Sequence, residues 1–137
     1  ASDVYKRQAY QTYNEREILS LYNSVGWTAY TAHPEVLHKG FDHSLLTLAA
    51  YEGEQLLGII RVVGDGYTIV FVQDLLVFPE HQRKGIGSAL LQAVLNQYRH
   101  VRQIELATDR TQKTIAFYKS MGFQEMSEVG CCGFIRV

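Results

Sequence analysis

The stretch of sequence that decides the fold reads DLLVFPEHQRKGIGS and covers residues 74–88. Its first part is apolar and stops at Pro79, which cannot continue a ladder in the middle of a sheet. Its last part, Gly85-Ile86-Gly87-Ser88, opens a segment whose apolar residues recur at helical spacing. A polar loop that contains Arg83 and Lys84 lies between the two parts. The stretch therefore predicts a strand, a loop and a helix.

The start of this predicted helix is suited to binding an anion. The first turn of a helix has unpaired backbone N–H groups and a partial positive charge. Gly85 and Gly87 have no Cβ, so a bulky anion can approach the backbone closely. Arg83 and Lys84 add positive charge, and Ser88 adds a hydroxyl donor. The pattern thus predicts a phosphate-type ligand without naming it.

Two nucleotide-binding motifs match this glycine pattern poorly. A Walker-type loop requires Gly-x-x-x-x-Gly-Lys-Ser/Thr, and that spacing is absent. The dinucleotide fingerprint Gly-x-Gly-x-x-Gly is half matched, because Leu90 stands where its third glycine belongs. A dinucleotide domain also usually begins with its glycine loop, whereas a predicted hairpin precedes the loop here. A nucleotide-dependent oxidoreductase is therefore kept only as a less favoured alternative.

The remaining patterns predict a mixed sheet with helices on its faces. The predicted strands cover residues 4–10, 45–51, 56–63, 68–78, 103–108, 123–129 and 133–137. The predicted helices cover residues 14–24, 34–38, 86–97 and 111–121. This order, βααβββαβαββ, gives an α/β (α+β mixed) class, mostly antiparallel with a central parallel βαβ unit. Because no linker or repeat interrupts the chain, residues 1–137 are predicted to form a single domain.

Composition excludes several kinds of partner. The chain has 13 basic and 14 acidic side chains, a balance that argues against a nucleic-acid partner. No apolar run approaches the roughly 20 residues of a membrane helix, so we expect no membrane partner. Cys131 and Cys132 are adjacent and the histidines are scattered, which predicts no metal site. Two reduced thiols fit a cytoplasmic location.

Two motifs in the same order resemble those of the GNAT superfamily of N-acetyltransferases. Residues 82–87, QRKGIG, are similar to the family's pyrophosphate-binding loop, Gln/Arg-x-x-Gly-x-Gly/Ala. Residues 115–123, IAFYKSMGF, resemble the family's FYxxxGF helix. Two motifs joined by the right elements are more specific than either alone. The resemblance covers nearly the whole chain and implies a GNAT-like fold with acetyl-CoA as the acyl-donor cosubstrate.

The resemblance also implies where the pantetheine arm of coenzyme A binds. In the family, the strands that correspond to residues 68–78 and 103–108 splay apart, and the cofactor lies between them. Backbone groups of the first strand then pair with the arm as if it were an added strand. The residues that match this role are Leu75, Leu76 and Val77.

The same resemblance assigns the remaining cofactor contacts. The pyrophosphate would be held by Gln82, Arg83, Lys84, Gly85, Ile86, Gly87 and Ser88. Phe117 would pack beside the cofactor. Thr111 stands where family members often carry an Asn that faces the cofactor, and its hydroxyl can still form a hydrogen bond.

The implied reaction is direct attack of a primary amine, on a small molecule or a peptide, on the thioester. Tyr118 matches the family's usual general acid, a phenol that protonates the thiolate, although it could instead be a core aromatic residue. The general base is not identified: the candidates are Asp74, Glu80, His81 and Glu105. Asp74 is preferred because it lies on the splayed strand, and a relay through ordered water is the alternative.

The acceptor itself cannot be named from the sequence. Trp27 and Tyr30, in the predicted loop 26–33, suit an aromatic wall for a cationic amine or, alternatively, core packing beneath the loop. A non-catalytic acyl-CoA-binding sensor or partner-binding module on the same fold is the alternative function. A homodimer is a further hypothesis, because exposed edges of the terminal strands invite pairing.

Overall fold

The computed structural model describes residues 6–137, which belong to two compact units, Ala1–Ala107 and Thr108–Val137. The first unit contains β1 (Lys6–Ala9), α1 (Glu15–Ser24), α2 (Thr28–Thr31), α3 (Pro34–Asp42), β2 (Leu46–Glu52), β3 (Gln55–Gly64), β4 (Ile69–Val77), a 3-10 turn (Pro79–His81), α4 (Ile86–Gln97) and β5 (Gln103–Leu106). The second contains α5 (Gln112–Ser120) and a 3-10 turn (Met126–Val129). The single-domain interpretation of residues 1–137 stays a prediction.

The five strands form one mixed sheet in the order β1-β2-β3-β4-β5. The first three pairings are antiparallel, and β4 pairs with β5 in parallel through the α4 crossover. The predicted α/β class with a mostly antiparallel sheet and one parallel βαβ unit is therefore confirmed, and among the described strands that unit lies at the β5 edge of the sheet. Of the predicted first strand, residues 4 and 5 lie outside the described residues, and β1 accounts for most of the remainder.

Helices pack on this sheet through two separate sets of buried apolar side chains. Helices α1 and α3 bury one cluster together with β2, β3 and β4: Ile18, Leu21, Tyr22, Leu37, Phe41, Ala49, Leu56, Ile59 and Leu76. Helix α4 packs against β3 and β4 through a separate set of buried residues: Ile86, Leu90, Leu91 and Val94. These residues recur three and four positions apart, so each helix buries one apolar stripe.

Local sequence signals account for most helix boundaries. The Asn14 side chain accepts a hydrogen bond from the Glu17 N–H at 3.2 Å, which confirms the predicted cap of α1. Helix α3 continues to Asp42, beyond the predicted 34–38, because burial of Phe41 adds another turn. The single turn of α2 was not predicted within the loop 26–33, since four residues show no helical period and no side chain caps them.

The prediction of two final strands, at residues 123–129 and 133–137, is wrong for the described structure. No strand occurs after Leu106 in the part of the chain that the structure describes. Glu125 and Glu128 instead form a capping box around the 3-10 turn, in which the Glu125 N–H donates to the Glu128 carboxylate at 3.0 Å. Gly130, in a left-handed conformation, ends the turn. These local hydrogen bonds replace the extended pairing that the apolar pattern suggested.

Candidate functional site

The two parallel strands at one edge of the sheet, β4 and β5, diverge halfway along β4. Their ladder begins at Ile69 with Gln103 and ends at Val72 with Leu106. Beyond Val72, β4 continues to Val77 with no paired strand on the β5 side among the described residues. The divergence predicted for these two strands is therefore present, and it begins after Val72.

A β-bulge marks the point of divergence. In the β3–β4 ladder Arg61 pairs with Asp74 and Val62 pairs with Val72, which leaves Gln73 as an extra residue. A bulge of this kind bends the strand that carries it and increases its twist. The bulge thus explains why β4 leaves β5 immediately after Val72.

Past the bulge, β4 presents one free backbone edge. Leu75, Leu76 and Val77 pair with β3 on one side, and Leu76 also contributes its side chain to the buried core. On the other side, this segment has no strand neighbour among the described residues, so an extended ligand can bind there as an added strand beside the Val77 carbonyl, which already accepts a hydrogen bond from Gln82. The structure thus places the three residues predicted to meet the pantetheine arm in one suitable segment.

A short loop connects this edge to α4 and carries two exposed cations, Arg83 and Lys84. The Gln82 side chain folds back and donates from Nε2 to the Val77 carbonyl at 3.0 Å. Arg83 adopts a φ of 66°, a left-handed conformation that costs a non-glycine residue about 1 kcal/mol. Strained backbone of this kind is frequent at ligand sites.

The first turn of α4 has free backbone donors. Gly85 is the N-cap with φ 80°, no side chain caps the helix, and the first backbone bond runs from the Ala89 N–H to the Gly85 carbonyl at 3.0 Å. The N–H groups of Ile86, Gly87 and Ser88 therefore have no acceptor among the described residues. A Cβ built on Gly85 meets nothing within 4 Å, so the approach to this turn is open. Such a turn can bind a phosphate.

Asp74, the preferred candidate base, is buried and ion-paired. Its Oδ2 accepts hydrogen bonds from Arg61 Nε and Tyr22 Oη and pairs with Arg61 Nη2, while its Oδ1 has no partner among the described residues. Burial would lower the pKa of Arg61, but the Asp74 carboxylate and Tyr22 outweigh it and raise the pKa above its ordinary value. Burial and Asp74 likewise raise the pKa of Tyr22. These contacts favour a structural role for Asp74, and its role as a base stays a prediction.

The other three candidate bases lie closer to solvent. Glu80 is exposed on the 3-10 turn, and His81 beside it is partly buried, with its Nδ1 3.3 Å from Lys84 Nζ. Glu105 is partly buried on β5 and accepts a hydrogen bond from Gln103 at 2.9 Å. The structure brings Glu80 and His81 together in the loop but does not select a base.

Sequence reasoning missed Arg61 and Gln73. Arg61 had a detectable signal, since an arginine between Ile60 and Val62 in an apolar strand requires a buried anionic partner. Gln73 had no such signal in the sequence, because a bulge depends on how two strands pair and cannot be read from one strand alone. Both residues shape the part of β4 next to the divergence.

Trp27, the N-cap of α2, and Tyr30, within α2, pack on the core beside the bulge. The ring centroid of Tyr30 lies 5.6 Å from that of Tyr22 and 5.9 Å from that of Trp27. The Tyr30 hydroxyl accepts a hydrogen bond from Gln73 Nε2 at 3.2 Å. These contacts support the core-packing interpretation, and a contact of Trp27 or Tyr30 with an acceptor stays a prediction.

The second unit contains the remaining predicted site residues. The ring of Tyr118 lies 5.0 Å from that of Phe117 and 5.9 Å from that of Phe123, both edge-on. Burial raises the pKa of Tyr118, so its phenol stays protonated at neutral pH. Thr111 is the N-cap of α5, and its hydroxyl accepts a hydrogen bond from the Thr114 N–H at 3.2 Å. That hydroxyl is therefore already engaged in capping.

Residues 6–137 contain neither a candidate membrane span nor a candidate metal cluster. None of the helices in this range combines the length and the apolar character that a membrane span requires. Nor do three or more His, Cys, Asp or Glu side chains in this range gather as metal ligands would. The cytoplasmic location stays a prediction.

Comparison with known proteins identifies the family. The acetyltransferase (GNAT) domain family matches residues 43–125. A GNAT family acetyltransferase from Streptococcus pneumoniae TIGR4 is 39% identical to this chain and superposes with a TM-score of 0.87, covering 97% of each chain. This chain belongs to the GNAT acetyltransferase family. The family predicted from the two motifs is therefore confirmed, and membership supports acetyltransferase activity at the level of the family.

Two further proteins define how far the similarity of this GNAT chain extends. A Gibberella zeae protein named as a candidate acetyltransferase is 36% identical over 81 residues, and these cover 56% of this chain but 44% of that protein. The chain thus spans less than half the length of that relative. The PaiA N-acetyltransferase from Thermoplasma acidophilum, solved in complex with coenzyme A, has a TM-score of 0.69 at 15% identity and covers 88% of this chain and 90% of that one. This second likeness shows the fold alone.

Proposed function

We propose that this GNAT chain is an acyl-CoA-dependent N-acetyltransferase that transfers an acetyl group from acetyl-CoA to a primary amine of a small molecule or peptide. One observation carries the proposal: the free edge of β4 leads through a basic loop into the open first turn of α4. An extended ligand with amide groups along its length and phosphates at one end matches this surface. The pantetheine arm and pyrophosphate of coenzyme A have that character.

The donor would bind through backbone and charge. Its amides would pair with the backbone of residues 75–77 as an added strand. Its pyrophosphate would accept hydrogen bonds from the N–H groups of residues 86–88, at the positive end of the helix dipole. Arg83 and Lys84, both exposed, would add charge-assisted contacts. Binding should therefore weaken as the salt concentration rises.

The transfer is a direct attack that needs two proton movements. The nitrogen lone pair of the neutral amine attacks the thioester carbonyl, the C–N bond forms, and the C–S bond breaks to release coenzyme A. Tyr118 would give its phenolic proton to the leaving thiolate. Burial raises the pKa of Tyr118, so the phenol carries the proton that this role requires at neutral pH.

The amine must also lose a proton in the course of its attack on the thioester. The contacts of Asp74 with Arg61 and Tyr22 favour a relay through water over transfer to that carboxylate. The part of β4 next to the divergence offers the Gln73 amide and the Tyr30 hydroxyl as neutral polar groups. Because these groups are neutral, they suit an uncharged amine better than an ammonium group, which a cluster of carboxylates would bind.

A ligand titration tests the donor. A ligand that binds only the folded state stabilises it, by about 2.7 kcal/mol at one hundred times its Kd. We expect acetyl-CoA and coenzyme A to raise the melting temperature, and NAD and ATP to leave it unchanged. A shift with NAD and none with coenzyme A would refute the proposed donor.

An acceptor screen then separates enzyme from sensor. Release of free thiol from acetyl-CoA is followed across a panel of primary amines and peptides with free amino groups. We expect thiol release that depends on the added amine and a product heavier by one acetyl group. Tight coenzyme A binding with no turnover on any amine would support the non-catalytic sensor instead.

A further inference from the structure

A cavity of about 210 Å³ lies in the first unit, where the end of β1, the start of β2 and the end of α3 meet. Its lining among the described residues consists of Tyr10, Gln11, Tyr13, Phe41, Asp42 and Thr47. None of these six belongs to the proposed acyl-donor surface. Because a cavity of about 150 Å³ already accepts a molecule of the size of benzene, this one has room for a small organic ligand.

Three aromatic rings form the walls of the cavity. The ring centroid of Phe41 lies 6.2 Å from that of Tyr10 and 5.1 Å from that of Tyr13, and each tyrosine ring is inclined by 63° to the phenylalanine ring. Rings at steep angles around one space enclose it, as in the aromatic cages that bind ammonium groups. The electron-rich faces of such rings attract a cation.

Both tyrosines are held in place by contacts with other side chains and the backbone. The Tyr10 hydroxyl donates to Glu17 at 3.0 Å and accepts from the Asn14 N–H at 3.1 Å. The ring of Tyr13 stacks on that of His38, with the two centroids 4.0 Å apart. Walls that are fixed before a ligand arrives lose little freedom when it binds, which favours affinity.

The charges next to the cavity favour a cation. Asp42 lines it as the last residue of α3, at the negative end of the helix dipole, and its Oδ1 lies 3.6 Å from His38 Nε2. Two further carboxylates, Glu15 and Glu17, lie in the first turn of α1 beside the two tyrosines. None of the six lining residues is basic.

Arg61 is the buried cation nearest to these walls among the residues already described, and its charge is already compensated. Its Cζ lies 5.1 Å from the ring centroid of Phe41, while its Nη2 lies 2.8 Å from the Asp74 carboxylate. Its Nη1 donates to the Ser44 hydroxyl at 3.1 Å. An anionic ligand would therefore gain little from Arg61 and would be repelled by Asp42.

Thr47 provides a polar group that no other described residue uses. Only 8% of this residue is exposed, and it lines the cavity from β2. Its carbonyl accepts a hydrogen bond from the Tyr10 N–H at 2.8 Å, whereas its hydroxyl has no partner among the described residues. A buried hydroxyl without a partner is unfavourable, so a ligand that bonds to it is favoured.

We propose that this cavity binds a small organic ammonium cation that carries a polar group. The rings of Tyr10, Tyr13 and Phe41 surround the ammonium group. Asp42 balances its charge, and the Thr47 hydroxyl bonds to its polar group. Because β3 separates the strands beside this cavity from β4, the site is distinct from the acyl-donor edge and does not rest on the proposed function.

A titration of the isotope-labelled full chain with choline, followed by the amide signals in nuclear magnetic resonance spectra, tests the proposal. The quaternary nitrogen of choline cannot accept an acetyl group, so its binding is separable from that of an acceptor amine. We expect saturable shifts at Gln11, Asp42 and Thr47, while residues 75–77 and 86–88 stay unchanged. The neutral isostere of choline, in which carbon replaces nitrogen, should bind at least about ten-fold more weakly.

Two variants assign the separate contacts. Asp42→Asn removes the charge at constant shape and should weaken choline binding by about three-fold or more, without affecting the neutral isostere. Thr47→Val removes the hydroxyl and should weaken the binding of choline but not that of tetramethylammonium, which has no hydroxyl. Glu54→Gln, in the exposed β2–β3 turn, is the matched control and should bind choline like the native chain.

Three results would overturn the proposal. Equal affinity for choline and its neutral isostere would show that the cavity selects shape and not charge. The absence of saturable shifts, or shifts confined to residues outside the cavity, would exclude it as the site. Native choline affinity in both Asp42→Asn and Thr47→Val would do the same. Both variants should keep a native circular dichroism spectrum, because Asp42 is exposed and the Thr47 hydroxyl bonds to no described residue.

Discussion

Arg61 Nε and Nη2 both lie 2.8 Å from Asp74 Oδ2, and the two residues are only 6% and 1% exposed. This buried ion pair joins β3 to β4 next to the bulge at Gln73. It holds the strand in the conformation that leaves its far edge free. The pair also connects to α1 through the hydroxyl of Tyr22.

Removing one partner of this pair should destabilise the fold. Asp74→Asn keeps the shape of the side chain but leaves the Arg61 charge buried and uncompensated, which costs about 3 kcal/mol of unfolding free energy. Urea denaturation measures the loss. Replacing both residues, Arg61→Met with Asp74→Leu, should recover most of it. Glu80→Gln, an exposed carboxylate, is the control and should change stability by less than about 0.5 kcal/mol.

The same variant tests whether Asp74 is the general base. If Asp74 is structural, the activity that remains in Asp74→Asn should keep the native shape of its pH profile. A variant of native stability that had lost the acidic limb of that profile would assign the base to Asp74.

Gly85→Ala should damage binding of coenzyme A more than folding. Gly85 and Gly53 have φ angles of 80° and 62°, and a Cβ at either meets nothing within 4 Å. Alanine at each position should therefore cost a similar, small free energy of unfolding, about 1 kcal/mol. Only Gly85→Ala places a methyl group at the turn where phosphate is expected. Calorimetric titration should show about ten-fold weaker binding for Gly85→Ala alone, and equal affinities would exclude this turn as the phosphate site.

Tyr118→Phe should lower kcat by about a hundred-fold and leave the affinity for acetyl-CoA nearly unchanged. A general acid works in its protonated form, so its activity is present below its pKa and lost above it. Because burial raises the pKa of Tyr118 above the ordinary value of about 10, that loss should lie above pH 10. Stopped-flow thiol detection across pH measures both effects. Tyr67→Phe, at a phenol that is 78% exposed, should behave as native; equal turnover in the two variants would refute the assignment.

Two neighbouring tyrosines should respond differently to the same change. The Tyr10 hydroxyl donates to Glu17 at 3.0 Å and accepts from the Asn14 N–H at 3.1 Å, so Tyr10→Phe should cost about 1 kcal/mol. The Tyr13 hydroxyl is buried without a partner among the described residues, so Tyr13→Phe should cost close to nothing. Denaturation at pH 7 compares them, and a larger loss for Tyr13→Phe would contradict the expectation.

Alkaline pH should separate native protein from Tyr13→Phe further. Burial is the main cause that raises the pKa of Tyr13 to about 12. An unfolded tyrosine releases its proton near pH 10, so the unfolded state loses protons first. The difference in proton binding is therefore absent below pH 10, and it lowers the stability of the native chain increasingly as pH rises toward 12. Between pH 8 and 11.5, the native chain should lose more stability than Tyr13→Phe, and parallel losses would exclude Tyr13 as a source.

Most elements and the loop motif at residues 82–87 were readable from the sequence because their signals are local. The helical period after Gly85 and the Asn14 cap each act within one or two turns. The prediction of two final strands was wrong because another local signal competed with the apolar pattern. Their apolar pattern suited pairing, yet the Glu125 and Glu128 capping box offered nearer hydrogen bonds.

The sequence by itself determined most of the elements up to α5, the open turn at Gly85 and the family, since all three depend on residues close together in the chain. Only the tertiary structure decided where β4 leaves β5 and that Asp74 is buried against Arg61. These features depend on the register between strands and on desolvation by distant segments. No window of one strand contains that information, because the partner that sets the register or removes the water lies elsewhere in the chain.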